Sequence, residues 1–73
     1  MEEKITLREL RERAGRLIAD VAAALSVTQK AISNYECGIR SINIEQVLIL
    51  AEFFEEPAEE IIKAQLNSRR KVR

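Results

Sequence analysis

The sequence predicts an all-α fold in which five short helices form one compact domain. The chain has 73 residues, a length that supports a single small hydrophobic core. Hydrophobic residues make up 47% of it and charged residues 33%, with only two glycines and one proline, which is typical of a helical globular protein. Capping signals recur along the chain, and apolar residues between them repeat with the period of an α-helix.

The first two helices are predicted from a capping box and from an apolar stripe. Thr6 is followed three residues later by Glu9, and this spacing predicts a first helix over residues 7–14, ended by Gly15. Residues 17–25 contain no glycine or proline and include four alanines. Their larger apolar side chains repeat along one stripe, which predicts helix 2.

The third and fourth helices are predicted from polar caps at their starts. Thr28 is a suitable N-cap for a helix over residues 29–36, and Gly38 is placed to end that helix in the left-handed conformation. Asn43 occupies the same cap position before a helix over residues 44–54. This fourth helix is apolar almost all round, so it is either central or also faces a second chain.

The last helix is predicted to begin near Pro57, because proline suits the first turn of a helix. Its apolar anchors end at residue 66. We therefore divide the chain into a helical domain over residues 1–66 and a basic C-terminal tail over residues 67–73.

Cysteine and histidine content excludes most catalytic and metal-binding chemistry. Cys37 is the single cysteine and the chain has no histidine, so it has no internal disulfide, imidazole base or Cys/His metal spacing. So short a chain also has little room for a substrate cavity. We therefore predict a protein that is not an enzyme and that needs no cofactor or metal, with a carboxylate-based enzyme as the alternative.

Opposite charges lie in different parts of the chain, although the twelve basic and twelve acidic residues sum to zero. Residues 4–16 hold five basic and two acidic side chains, residues 69–73 hold four basic ones, and residues 52–60 hold five glutamates. This distribution predicts a basic face and an acidic back. Because the sequence has no apolar run long enough for a membrane span and no signal-peptide pattern, we expect a cytoplasmic protein.

Residues 17–38 have the arrangement of a helix-turn-helix. A short alanine-rich helix, a Leu-Ser-Val turn and a capped helix with polar residues at its start follow one another. On these residues the chain resembles the Cro/C1-type (Xre-like) helix-turn-helix transcriptional regulators, and the resemblance covers about residues 5–66. It implies a compact lambda-repressor-like DNA-binding domain. The best-matching segments are Leu7-Arg8-x-Leu10-Arg11, Val21-Ala22, Leu25-Ser26-Val27-Thr28, Ile32-Ser33-x-Tyr35-Glu36-x-Gly38 and Leu48-x-Leu50-Ala51.

The resemblance implies a sequence-specific binder of double-stranded DNA that regulates transcription as a homodimer, most simply as a repressor on a two-fold operator. Such a protein would be encoded by a bacterium or a phage and would join the nucleoid when bound. The positions that match base contacts are Gln29, Lys30, Ser33 and Asn34. The positions that match phosphate contacts are Thr28, Arg40 and Asn43. Arg11 and Glu36 match a structural ion pair that joins helix 1 to the end of helix 3.

The start of helix 2 departs from the family pattern. Leu17 and Ile18 stand where the family has a Ser or Thr cap and a glutamine that clamps a phosphate, so we expect no phosphate contact from helix 2. Arg16 stands where a buried leucine is common. One hypothesis is that Leu17 fills this pocket through a local shift, while Ile18 faces solvent or a partner.

Helices 4 and 5 carry more apolar residues than a small core can easily bury. We therefore predict a two-fold dimer interface. Its residues are Leu50, Phe53, Ile61, Ile62 and Leu66.

The alternative function is a protein-interaction module, such as an antitoxin or a partner of another regulator, that uses Leu17, Ile18 and the apolar face of helices 4 and 5. Zero net charge favours this alternative. The polar face of helix 3 favours DNA binding, although a polar helix face can also be ordinary solvated surface. The basic tail suits either phosphate contacts or solubility.

Overall fold

The computed structural model describes residues 5–68 and contains five α-helices in this range. They are α1 Leu7–Arg13, α2 Ile18–Leu25, α3 Gln29–Glu36, α4 Ile44–Phe54 and α5 Ala58–Ser68. No strand occurs in the described range, so the predicted all-α fold with five helices is confirmed. None of these helices is long and apolar enough to cross a membrane.

Polar caps start three of the helices at the predicted residues. At α1, the Thr6 hydroxyl accepts from the Glu9 backbone N–H at 3.3 Å, and the Glu9 carboxylate accepts from the Thr6 backbone N–H at 2.9 Å. Thr28 Oγ1 accepts a backbone N–H in the first turn of α3 at 3.1 Å. Asn43 Oδ1 does the same for α4 at 2.7 Å. These bonds satisfy donors that the start of a helix otherwise leaves unpaired.

Helix α2 begins without such a cap. Leu17 occupies the cap position, and its aliphatic side chain offers no acceptor to the first turn. The Asp20 carboxylate instead accepts from the Leu17 backbone N–H at 2.9 Å. The helix ends at Ser26, whose φ of 58° is left-handed, and the next N–H, of Val27, donates to the Ala22 carbonyl at 3.0 Å. This turn leads directly into the cap of α3.

The core is apolar, and α5 lies at its centre. Ile61 of α5 is fully buried and Ala64 is nearly so, because α5 packs against α1, α3 and α4. No polar or charged side chain is buried among residues 5–68. The other buried residues are Leu7, Leu10, Val21, Ala22, Leu25, Ala31, Ile32, Tyr35, Ile42, Val47, Leu50 and Phe54.

Helix α5 continues two residues past the predicted domain boundary at residue 66. Its last residue, Ser68, accepts through Oγ from the Leu7 backbone N–H at 3.0 Å, and Asn67 Nδ2 donates to the Ile5 carbonyl at 3.0 Å. The end of α5 thus supports the start of α1. Of the tail predicted for residues 67–73, only residues 69–73 lie outside the described range.

Candidate nucleic-acid interface

The polar face of α3 is open to the outside of the domain. We call Gln29, Lys30, Ser33 and Asn34 the reading face. The side chains of Gln29 and Lys30 are exposed, and those of Ser33 and Asn34 are half-buried. On the opposite side of the helix, Ile32 is buried in the core. No reading-face side chain makes a hydrogen bond with another described residue, so their polar groups are available to a ligand.

The loop after α3 folds back onto the end of that helix. The carbonyl of Asn34 accepts from the backbone N–H of Ile39 at 2.9 Å and from that of Arg40 at 3.2 Å. Arg40 is exposed. Asn43 is exposed as well, but its Oδ1 already caps α4, so only its amide NH₂ remains available as a donor. Of the predicted phosphate-contacting residues, Arg40 therefore lies beside Asn34 of α3.

An ion pair joins α1 to the end of α3. Arg11 Nε donates to Glu36 Oε2 at 2.6 Å and Arg11 Nη2 donates to Glu36 Oε1 at 3.4 Å, with the two side chains only 12% and 10% exposed. Arg11 Nη1 also donates to the Arg16 carbonyl at 3.1 Å. The hydrogen bond to Glu36 raises the pKa of Arg11, and partial desolvation opposes this shift. The pair predicted as structural thus lies in direct contact.

A second polar contact holds the other side of α3. Gln46 Nε2 donates to the Tyr35 hydroxyl at 3.3 Å, and the Tyr35 ring is buried. Together with the Arg11–Glu36 pair, this contact fixes the orientation of α3 on the domain. A fixed helix is what recognition of a rigid duplex requires.

Comparison with known proteins identifies the family. A model of the helix-turn-helix family matches residues 7–61, which is more than half of the chain. The chain belongs to the Cro/C1-type helix-turn-helix family. The resemblance seen in the sequence is therefore confirmed, and this is a family of transcriptional regulators rather than of enzymes.

Three curated relatives carry the provisional name of HTH-type transcriptional regulatory protein. The relative from Thermococcus gammatolerans is 36% identical over 56 residues, which are 77% of this chain and 18% of the relative. The relative from Thermococcus kodakarensis is 34% identical, with 85% of this chain and 20% of the relative covered. The relative from Pyrococcus furiosus is 39% identical, with 70% of this chain and 16% of the relative covered. The chain thus spans a fifth or less of each relative. No solved structure matches it significantly.

The start of α2 in this helix-turn-helix differs from the sequence hypothesis. Leu17 is 68% exposed, so the hypothesis that it fills a core pocket is wrong. Ile18 is half-buried and packs against the core. The Arg16 guanidinium lies over the Phe53 ring, 4.7 Å from its centroid, and covers part of that ring.

The helix-turn-helix domain carries an apolar groove between α4 and α5, away from the reading face. Four large apolar side chains line it and remain exposed: Ile44 at 80%, Leu48 at 59%, Ile62 at 50% and Leu66 at 56%. The groove encloses about 410 Å³. We call these four residues the α4/α5 groove. Apolar side chains clustered in this way mark an interaction site more often than scattered ones do.

The structure changes the predicted dimer residues. Leu50 and Ile61 are buried in the core of the single chain, so they cannot contact a second chain and this part of the prediction is wrong. Both residues belong to the apolar core, to which the packing of α4 against α5 contributes. Phe53 is half-buried, with its ring 5.7 Å from that of Phe54. Only Ile62 and Leu66 of the predicted set lie in the α4/α5 groove.

Sequence reasoning missed two members of the groove, Ile44 and Leu48. Helix 4 is apolar almost all round in the sequence, which does not show that its buried stripe is formed by Val47, Leu50 and Phe54. One sequence signal could have found them. Ile44 and Leu48 are four residues apart and so lie on one face of α4, and Ile62 and Leu66 have the same spacing on the next helix.

Proposed function

We propose that this chain binds double-stranded DNA by inserting α3 into the major groove, and that it represses transcription by occupying a promoter. One observation carries the proposal: the reading face is polar and makes no side-chain hydrogen bond with the described protein. Gln29 has the groups to pair with adenine N6 and N7, and Lys30 has those to pair with guanine O6 and N7. Such a repressor would act in the cytoplasm, at the nucleoid.

Three residues beside the reading face are proposed to hold the DNA backbone. The Thr28 hydroxyl accepts a bond within α3, which leaves its proton free to donate to a phosphate oxygen at the positive end of the helix. Arg40 supplies a cation and Asn43 an amide donor on the neighbouring loop. Contacts of this kind set the register of α3 in the groove, while the base contacts specify the sequence.

We further propose that the repressor is a homodimer whose two-fold axis matches that of its operator. The domain measures 32 × 24 × 22 Å along its principal axes. Two copies in contact would have their centres about one domain width apart, and the proposal requires that their α3 helices lie ~34 Å apart, the separation of half-sites one helical turn apart.

The surface proposed for the second copy is the α4/α5 groove. The four residues of the α4/α5 groove form one exposed apolar patch, and a two-fold contact buries such a patch against the same patch of a second copy. The reading face stays free because no groove residue belongs to α3.

A single charge in the groove is expected to separate the dimer. Leu48→Glu should sediment as a monomer, because a dimer would bury two unpaired carboxylates in an apolar contact. Ile39→Glu places the same charge on an exposed apolar residue outside the groove and should sediment as the dimer, like the wild type. Sedimentation velocity measures the masses, and circular dichroism checks that all three fold equally. A dimeric Leu48→Glu or a monomeric wild type would contradict the proposed surface.

Selection from a randomised duplex library tests the proposed function as a whole. The expected product is an enriched sequence with two inverted half-sites whose centres lie about one helical turn apart. An unenriched library would count against sequence-specific binding, and a single unpaired half-site would count against the two-fold dimer.

A second candidate function is a protein-interaction module, and the exposed side chain of Leu17 favours it. This apolar residue lies at the start of α2, beside Asp20, and adds no group that attracts DNA. Under this alternative, Leu17→Asp would weaken the capture of a partner regulator. Under the proposed function, Leu17→Asp would leave the enriched DNA sequence unchanged.

A further inference from the structure

We propose that the cleft between α1 and α3 binds one phosphodiester of the DNA backbone, with Arg8 as its cation. This inference rests on the proposed insertion of α3 into the major groove. The cleft has a volume of about 260 Å³. It is lined by Arg8, Arg11, Ile18, Ser33, Glu36 and Cys37.

The cleft opens on the same side of the molecule as the reading face. Ser33 belongs to both, and Cys37, which caps the end of α3 four residues later, is exposed and lines the cleft. Since residues four apart on a helix lie above one another, the line from Ser33 to Cys37 extends the reading face towards the C-terminal end of α3. A duplex that contacts Ser33 therefore passes the mouth of the cleft.

The geometry of the major groove brings one DNA strand to each flank of α3. A helix with side chains is about 10–12 Å wide and the groove is about 12 Å wide, so the two sugar–phosphate backbones run along opposite sides of the helix. Asn34 lies on one flank, where the loop with Arg40 folds back. Ser33 and Glu36, three residues apart, lie on the other flank, which is the side of the cleft.

Arg8 is the arginine of the cleft that is available for a phosphate. Arg11 is held by Glu36 and by the Arg16 carbonyl, so it neutralises the carboxylate at the cleft floor. Arg8 is well exposed, and its contact is the exposed pair with Glu12 at 3.2 Å. Exposed pairs one helical turn apart are weak, and a phosphate can replace the carboxylate of Glu12.

Helix α2 cannot supply this cation. It contains no basic residue, its cap is the apolar Leu17, and Asp20 occupies its first turn. The strand that passes the start of α2 therefore meets positive charge from α1. The Ser33 hydroxyl in the cleft wall can add a hydrogen bond to the same phosphate.

The salt dependence of binding to mixed duplex DNA tests the role of Arg8. Each phosphate contact contributes about −0.9 to the slope of log Kobs against log salt. Arg8→Gln should make the slope shallower by about 0.9 for each bound copy. Between ~50 and ~200 mM salt, the loss of affinity of the wild type should therefore exceed that of Arg8→Gln by a factor of roughly 3.5 for each copy. Arg8→Lys should restore most of the slope. Glu12→Gln should strengthen binding, because it releases Arg8 and removes a negative charge.

Lys63→Gln is the matched control, since Lys63 is an exposed cation on α5 that also pairs with an acid one turn away. Its slope should equal that of the wild type. An unchanged slope for Arg8→Gln, or an equal change for Lys63→Gln, would overturn the proposal.

Preference for the selected operator should survive in Arg8→Gln, and its loss there would also overturn a pure phosphate role. If the wild type binds no DNA, the proposed function and this inference both fail.

Discussion

Replacing Gln29 and Asn34 together with alanine is expected to abolish discrimination between the operator and other DNA. A good bidentate contact to a base contributes about 1–3 kcal/mol of discrimination, so the double variant should lose roughly 2–6 kcal/mol. Competition between the selected operator and a scrambled duplex measures this loss directly.

The fold of this double variant should be unchanged. Neither side chain makes a hydrogen bond with a described residue, and the cap of α3 is supplied by Thr28. The salt slope should also stay the same, because Arg40 and the other phosphate contacts remain. Operator discrimination equal to that of the wild type would contradict the assignment of the reading face.

Removing one partner of the Arg11–Glu36 pair should destabilise the protein more than removing both. Arg11→Met leaves the Glu36 carboxylate unpaired at a site where it is only 10% exposed, at an expected cost of about 1–3 kcal/mol. A domain of this size has a total stability of only about 4–11 kcal/mol. Arg11→Met combined with Glu36→Met should recover most of that loss, because no charge is left without a partner. Urea denaturation measures all three free energies of unfolding.

Arg8→Met is the control for this cycle. Arg8 is an arginine of α1 that also pairs with a glutamate, Glu12, but this pair is exposed. Arg8→Met should cost less than about 1 kcal/mol. The pKa of Arg11 is raised in the folded state, so Arg11 stays charged up to strongly alkaline pH, and the stability that this shift contributes is lost only as pH rises through that pKa. A double variant as unstable as Arg11→Met alone would contradict the ion-pair account.

The helix starts could be predicted because their signals are local. Thr6, Thr28 and Asn43 each bond to a backbone N–H three residues away, and this spacing is visible in the sequence. The start of α2 was predicted one residue too early, because Leu17 offers no acceptor and lies in the cap position itself. The end of α5 could not be predicted, because Ser68 bonds to Leu7, 61 residues earlier in the chain.

The buried side of α4 could not be predicted either. This helix is apolar almost all round, so its periodicity does not distinguish the exposed Ile44 and Leu48 from the buried Leu50. The choice depends on which face of α4 is covered by α5, a helix from another part of the chain. The dimer residues were therefore wrong at Leu50 and Ile61.

The candidate site was predictable where it lies within one helix. The polar residues of the reading face have the spacing of one face of α3, and this can be read directly from the sequence. The pairing of Arg11 with Glu36 spans 25 residues and came from the family resemblance. The cleft beside Arg8 depends on how α1 packs against α3, which no local pattern reveals.

Binding of the wild type to mixed duplex DNA between ~50 and ~200 mM salt tests the central claim most directly. A dimer in which each copy engages two phosphates through Arg8 and Arg40 predicts a slope of log Kobs against log salt of about −3.6, or −0.9 for each of the four contacts. A slope near this value supports DNA binding through the described face. No binding even at ~50 mM salt would contradict it and would favour the protein-interaction module that the exposed Leu17 suggests.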